Sequence, residues 1–160
     1  MDTRPQKVMD DLRRIVQAVR QSSVQCERSS GLTSAQLLLL KCAHANAGVS
    51  INDLAAQTLT HQSTVSEVVG RLEAKGLLVR TRSVEDGRRR EIEITEEGLQ
   101  ALALPIETIQ ETLMRAMTTM SLESLDCLVH GLDALINAAG ISSGQPAMFL
   151  EDGLTGDRQR

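Results

Sequence analysis

The 160-residue chain sets 17 Lys and Arg against 21 Asp and Glu, a net charge of −4, and is 41% hydrophobic with Phe149 as its single aromatic residue. Its core must be built from Leu, Val, Ile, Ala and Met, a composition that favours helices, and the length suits one domain, or one domain with oligomerisation arms. No apolar run is long enough to cross a bilayer, and the charged N-terminus lacks the apolar stretch of a secretory signal, so a cytoplasmic protein without membrane contact is expected.

Val8, Leu12, Ile15, Val16 and Val19 recur at helical spacing and predict an amphipathic helix from about Pro5 to Cys26, broken by Ser29, Ser30 and Gly31. Ser34 is the expected cap of a second helix running to Ala45, whose Leu37–Leu40 run is too apolar all round for a surface element. Val49, Ser50 and Ile51 are a candidate short strand. Ser50 with Asp53 reads as a capping box for a third helix, Asn52 to Gln57, with Leu59 plugging the turn that follows.

The next helix, Thr60 to Lys75, is expected to be capped by Thr60. Val65, Val68, Val69 and Leu72 form its apolar stripe; Gln62, Ser63, Ser66, Glu67 and Arg71 form the opposite face. Compact donors and acceptors on one helical face suit the major groove of DNA, whose base edges carry a readable pattern. A solvated surface helix has a similar look, so the neighbouring residues decide. Gly76 stops the helix, and Leu77–Ser83 is a β-rich run. Val84-Glu85-Asp86-Gly87 is a turn, and Arg88-Arg89-Arg90 leads into an alternating strand with Ile92 and Ile94 inward. Between Arg71 and Arg90, seven basic residues face three acids, a net of +4, so the remainder carries −8. Positive charge gathered on an acidic molecule is a local phosphate-binding footprint. The order of elements predicts a mainly α fold with a small β-hairpin wing, a winged helix-turn-helix.

Beyond the wing, Thr95, Glu96 and Glu97 are expected to start a long helix running to about Thr119, bent at Pro105. Ser121 and Ser124 start a last helix with a stripe of Leu122, Leu125, Leu128, Val129, Leu132, Leu135 and Ile136 that requires a partner. The terminal helices carry more apolar surface than a small winged helix can cover. The expected organisation is therefore an N-terminal dimerisation helix over 1–30, a DNA-binding domain over 31–98 and C-terminal dimerisation helices over 99–139. A Gly/Ser/Pro-rich flexible tail follows over 140–160; its apolar patch Ala147-Met148-Phe149-Leu150 is the exception, a segment that either docks on the body or on a partner subunit or has no role. Packing of the same helices within a monomer is the alternative to a homodimer.

The run D-x-R-x-x-x-I-x-I-T-x-x-G, here Asp86, Arg88, Ile92, Ile94, Thr95 and Gly98, resembles the wing signature of the MarR family of bacterial transcription regulators. LAAQTLTHQSTVSEVVGRLEAKGLLVR is similar to that family's helix-turn-helix, and GLTSAQLLLL to the entry into its second helix; the likeness covers roughly Val8 to Ala139. The resemblance implies a dimer on a pseudo-palindromic operator in double-stranded DNA, acting as a repressor. Gln62, Ser63, Thr64, Ser66 and Glu67 would meet bases or nearby phosphates, and Arg71 a phosphate. Arg88 would enter the minor groove, Arg89 and Arg90 would meet phosphates, and Asp86 would fix the wing. A winged helix that docks a protein is the competing class, which an acidic wing would favour.

The resemblance also implies a crevice for a small anionic effector, for which Arg20, Lys41 and His44 are the candidate partners. Some members sense peroxide through a cysteine in the first helix. Cys26 is the candidate here, although it lies late in that helix. The plainer reading of Cys26, Cys42 and Cys127, odd in number and widely spaced, is three free thiols. Cys127 with His130 is a weak metal pair, and none of the three histidines joins a catalytic set, so neither an enzyme nor a cofactor is expected.

Overall fold

The computed structural model describes residues 3–82 and 90–141, together with 144, 146 and 148. Among these, the order is α1 (Arg4–Ser30), α2 (Ser34–Ala45), α3 (Ile51–Gln57), α4 (Gln62–Ala74), β1 (Leu78–Arg82), β2 (Arg90–Ile94), α5 (Glu96–Ala101), α6 (Ile109–Thr119) and α7 (Leu122–Ala138). The mainly α class with one antiparallel hairpin is as the sequence predicts. The wing tip, residues 83–89, lies outside the described residues.

Capping chemistry fixes most boundaries. The first helix runs four residues past Cys26, because Ser29 and Ser30 stay helical and Gly31 ends it at φ 69, donating its N–H to the Glu27 carbonyl. Thr33, and not Ser34, caps α2: its hydroxyl accepts from the Gln36 N–H while the Gln36 side chain accepts from the Thr33 N–H. Ser50 and Asp53 form the expected box, with the helix starting at Ile51. Val49 makes a single bridge to Ile92 where a short strand was expected.

The core is formed by α2, α3, α4 and the hairpin base. Leu37, Leu39, Leu40, Leu54, Val65, Val68, Val69 and Leu72 are fully enclosed, with Leu78 and Ile92 closing the set from the strands. The hairpin registers Leu78 with Ile94 and Arg80 with Ile92. Its end explains the sequence motif physically. Thr95 accepts from the Gly98 N–H at 3.0 Å and donates to the Gly76 carbonyl at 2.7 Å, clamping the strand end to the end of α4. Position 98 has no room for a side chain, since a Cβ there would collide with the Leu77 carbonyl and stand 2.6 Å from Ile94 Cγ1.

The largest departure follows. The expected long helix is two helices: α5 stops at Ala101, and a non-helical stretch containing Pro105 leads to a new capping box at Thr108 and Glu111. Three contacts fasten the start of α6 to the body. Ile109 N–H donates to Ser22 Oγ at 2.9 Å, Gln110 Nε2 donates to the Thr58 carbonyl at 2.7 Å, and Lys41 Nζ lies 2.9 Å from Glu111 Oε2 while also donating to the Ile106 carbonyl. Met148, in the apolar patch of the tail, is buried and joins the core.

Candidate nucleic-acid interface

The α4 backbone is held by four enclosed side chains, Val65, Val68, Val69 and Leu72, which present the opposite face at a fixed angle. Gln62, Ser63, Glu67 and Arg71 are exposed on that face and Ser66 is half-buried. Thr64 departs from expectation. It is buried within the subunit, one position before Val65 on the core side, where the sequence reading set it among the residues facing DNA. Thr60 does not cap α4 either; its hydroxyl donates to the Thr58 carbonyl, and His61 takes the cap position without a side-chain bond.

The far end of α4 is fastened twice. Arg80 Nε lies 3.1 Å from Glu73 Oε2, and Lys75 Nζ donates to Gln36 Oε1 at 2.9 Å. Sequence reasoning missed Lys75, although Gln36 belongs to a legible T-x-x-Q box. At the end of the hairpin nearest the turn, the register sets Arg82 directly opposite Arg90. Like charges in register weaken a hairpin, so this pair is a folding cost that an anionic ligand would remove. Arg90 is exposed; Asp86, Arg88 and Arg89 lie outside the described residues.

The effector candidates do not form a set. Lys41 is engaged by Glu111 and the Ile106 carbonyl. His44 is exposed on the last turn of α2. Arg20 lines shallow grooves formed by α1 alone, with neither of the others beside it. A second correction concerns Cys26. It is completely enclosed, and burial pushes its thiol up. An enclosed sulfur is poorly placed to meet an oxidant, which weighs against the redox reading. Cys42 is half-buried with its thiol also raised by burial, and Cys127 is exposed. Among the described residues no group of three or more His, Cys, Asp or Glu could hold a metal, and no helix is long and apolar enough to cross a membrane.

A tri-helical core with a helix-turn-helix over α3 and α4, followed at once by a two-stranded hairpin, defines a winged helix-turn-helix protein. Residues 30–89 match the sequence model of the MarR family. It is 34% identical over 100 residues to a putative transcriptional regulatory protein for the hcr operon of Thauera aromatica, a match covering 62% of this chain and 58% of the relative. It is 26% identical over 87 residues to the transcriptional repressor MdtR of Bacillus subtilis, covering 54% of this chain and 56% of that one. The chain thus spans little more than half the length of either relative. The fold is shared with MepR of S. aureus in its DNA complex, at TM-score 0.54 and 23% identity over 79% of this chain and 94% of that one.

Proposed function

We propose that the chain is a DNA-binding transcription regulator that represses by occupying a pseudo-palindromic operator as a homodimer. The observation that carries the reading is the rigidly backed polar face of α4, with Gln62, Ser63, Glu67 and Arg71 exposed, followed by a hairpin that sets Arg82 opposite Arg90 next to its turn. Side chains of this length and chemistry suit base edges and phosphates, and two copies related by a twofold axis would enter successive major grooves about one helical turn apart. The relatives named for transcriptional regulation, and the MepR–DNA complex among the structures of this fold, support the same reading. In it, Arg88 takes the minor groove, Arg89 and Arg90 take phosphates, and Asp86 steadies the wing.

The homodimer is supported by apolar surface that stays exposed among the described residues. On α1, Val8, Met9, Ile15 and Val16 are exposed; on α7, Leu128, Val129, Leu132, Leu135 and Ile136 are exposed, and no α7 residue is buried. Burying such stripes against a second copy is the ordinary way to remove them from water. Release from DNA by a small molecule would work by favouring a lobe spacing that the grooves cannot accept.

The test is enrichment of duplexes from a random pool by the full chain, followed by titration of the winner at several salt concentrations. Binding should fall steeply with salt, and Arg71→Ala and Arg90→Ala should each weaken it and flatten the slope. A flat salt response in the unmodified protein would rule the reading out.

A further inference from the structure

The turn joining α3 to α4 holds a leucine where a turn of this shape ordinarily takes glycine. Leu59 has φ 52, the one non-glycine residue at positive φ among the described residues. The left-handed step is required there. It lets the Thr60 N–H reach back to the Ala55 carbonyl at 2.9 Å and the Leu59 N–H to the Ala56 carbonyl at 3.3 Å, which together close α3. Glycine would take that conformation without strain, whereas a residue with a Cβ takes it at a cost.

Burial does not return the cost. The expectation that Leu59 plugs the turn is wrong: its side chain is 69% exposed. It lies instead along an open groove of about 630 Å3, shared with Asn52, His61, Gln62 and Ser63. A strained backbone and a solvated apolar side chain are both unfavourable to the isolated subunit, and local strain of this kind points outward to a ligand.

We infer that Leu59 is a specificity residue that reads the 5-methyl group of a thymine at the lip of the major groove. The inference rests on the DNA-binding reading above. Continuity selects the occupant, because Leu59 shares its groove with Gln62 and Ser63, the first residues of the helix assigned to the bases. Chemistry narrows it further. Gln62 and Ser63 can answer donors and acceptors, while the one apolar group that a base pair presents in the major groove is the thymine methyl, which is also the outermost. Leu59 is the largest apolar side chain in this groove and so the one suited to it.

The experiment uses the full chain and the duplex it enriches from a random pool, with each thymine replaced in turn by deoxyuridine in both half-sites. The wild-type protein should lose affinity at one symmetric position, on the order of fourfold per methyl removed. Leu59→Ala and Leu59→Gly should bind the thymine and uracil duplexes alike at that position. Both variants should also melt close to the wild type or above it, since exposure leaves little packing to lose and glycine relieves the strain. A wild-type protein indifferent to every such replacement, or a Leu59→Ala protein that keeps the discrimination, would overturn the inference and leave DNA binding intact. A protein that enriches no duplex at all would remove the DNA-binding reading, and this inference with it.

Discussion

Replacing Glu111 by alanine should loosen the joint between the arm helices and the winged helix, by an amount that the structure allows to be worked out. The carboxylate lies 2.9 and 3.1 Å from Lys41 Nζ and accepts from the Thr108 N–H at 2.7 Å, with both charged side chains less than a third exposed. A charge-assisted bond of this kind contributes about 1.5–3 kcal/mol. The lost reciprocal cap of α6 adds about 1 kcal/mol. Because the bonds share one carboxylate, the two do not simply add, and a deficit of roughly 2–4 kcal/mol is expected. Glu111→Gln keeps an acceptor for the cap and should recover part of it.

The same group supplies a pH signature. Burial raises the Glu111 carboxyl, but the hydrogen bond from Lys41 and those from Thr108 outweigh it and leave the group below its ordinary value. A folded-state value depressed below the unfolded one, roughly 4.3, gives stability that is complete above that pH and drains away as pH falls through the folded value. Urea unfolding at fixed protomer concentration is the assay, run from pH 7 downward on wild type and both variants. The Glu111→Ala deficit should be largest at pH 7 and shrink on acidification. A deficit under about 0.5 kcal/mol at pH 7, the size of an ordinary surface substitution, would show that the pair contributes nothing net. A deficit constant down to pH 3 would refute the electrostatic account specifically.

Three further outcomes can be checked directly. Leu132→Glu, on the exposed stripe of α7, should raise the dimer dissociation constant at least tenfold in sedimentation equilibrium while leaving the helical circular-dichroism signal intact; an unchanged constant would place the interface elsewhere. Gly98→Ala should destabilise by about 3 kcal/mol in urea unfolding, because the added Cβ meets the Leu77 backbone, which cannot rotate away as a side chain would. Iodoacetamide should alkylate Cys127 first, Cys42 slowly, and Cys26 only in denaturant; early labelling of Cys26 would contradict its burial and reopen the redox reading.

What was legible in the sequence was local chemistry. Val65, Val68, Val69 and Leu72 repeat at the helical period and are enclosed; Gly76 ends its helix at φ 72; Ser50 and Asp53 cap as their spacing requires. Two misplacements were also local and avoidable. T-x-x-Q at Thr33 and T-x-x-E at Thr108 are capping boxes in plain sight, and the second would have cut the long helix at Pro105. Thr64 was legible in the same way, since it stands four residues before Val68 on the side of the helix that the apolar stripe marks as buried. Other features had no local signal. Leu59 is an unremarkable letter until its φ is known, because hydrophobicity predicts a plug and only the fold reveals an exposed side chain on a strained residue.

The polar ties around α6 lie furthest from sequence reading, and under the proposed function they are the ones that would bear on regulation. Glu111 meets Lys41 across 70 residues, and Gln110 meets Thr58 across 52. No periodicity links such partners, since each pair is set by how the helices dock. Yet the second pair joins α6, the helix that leads into the exposed α7 stripe, to the C-terminal cap of α3, one residue before Leu59. A displacement of the arms therefore has a short polar route to the turn that aims α4. An effector acting on arm spacing would need to break the Gln110 contact or carry the turn along with it, and these alternatives differ measurably. Gln110→Ala should uncouple the two if the contact carries the motion, leaving DNA affinity less responsive to any ligand that alters arm spacing while dimerisation is unchanged.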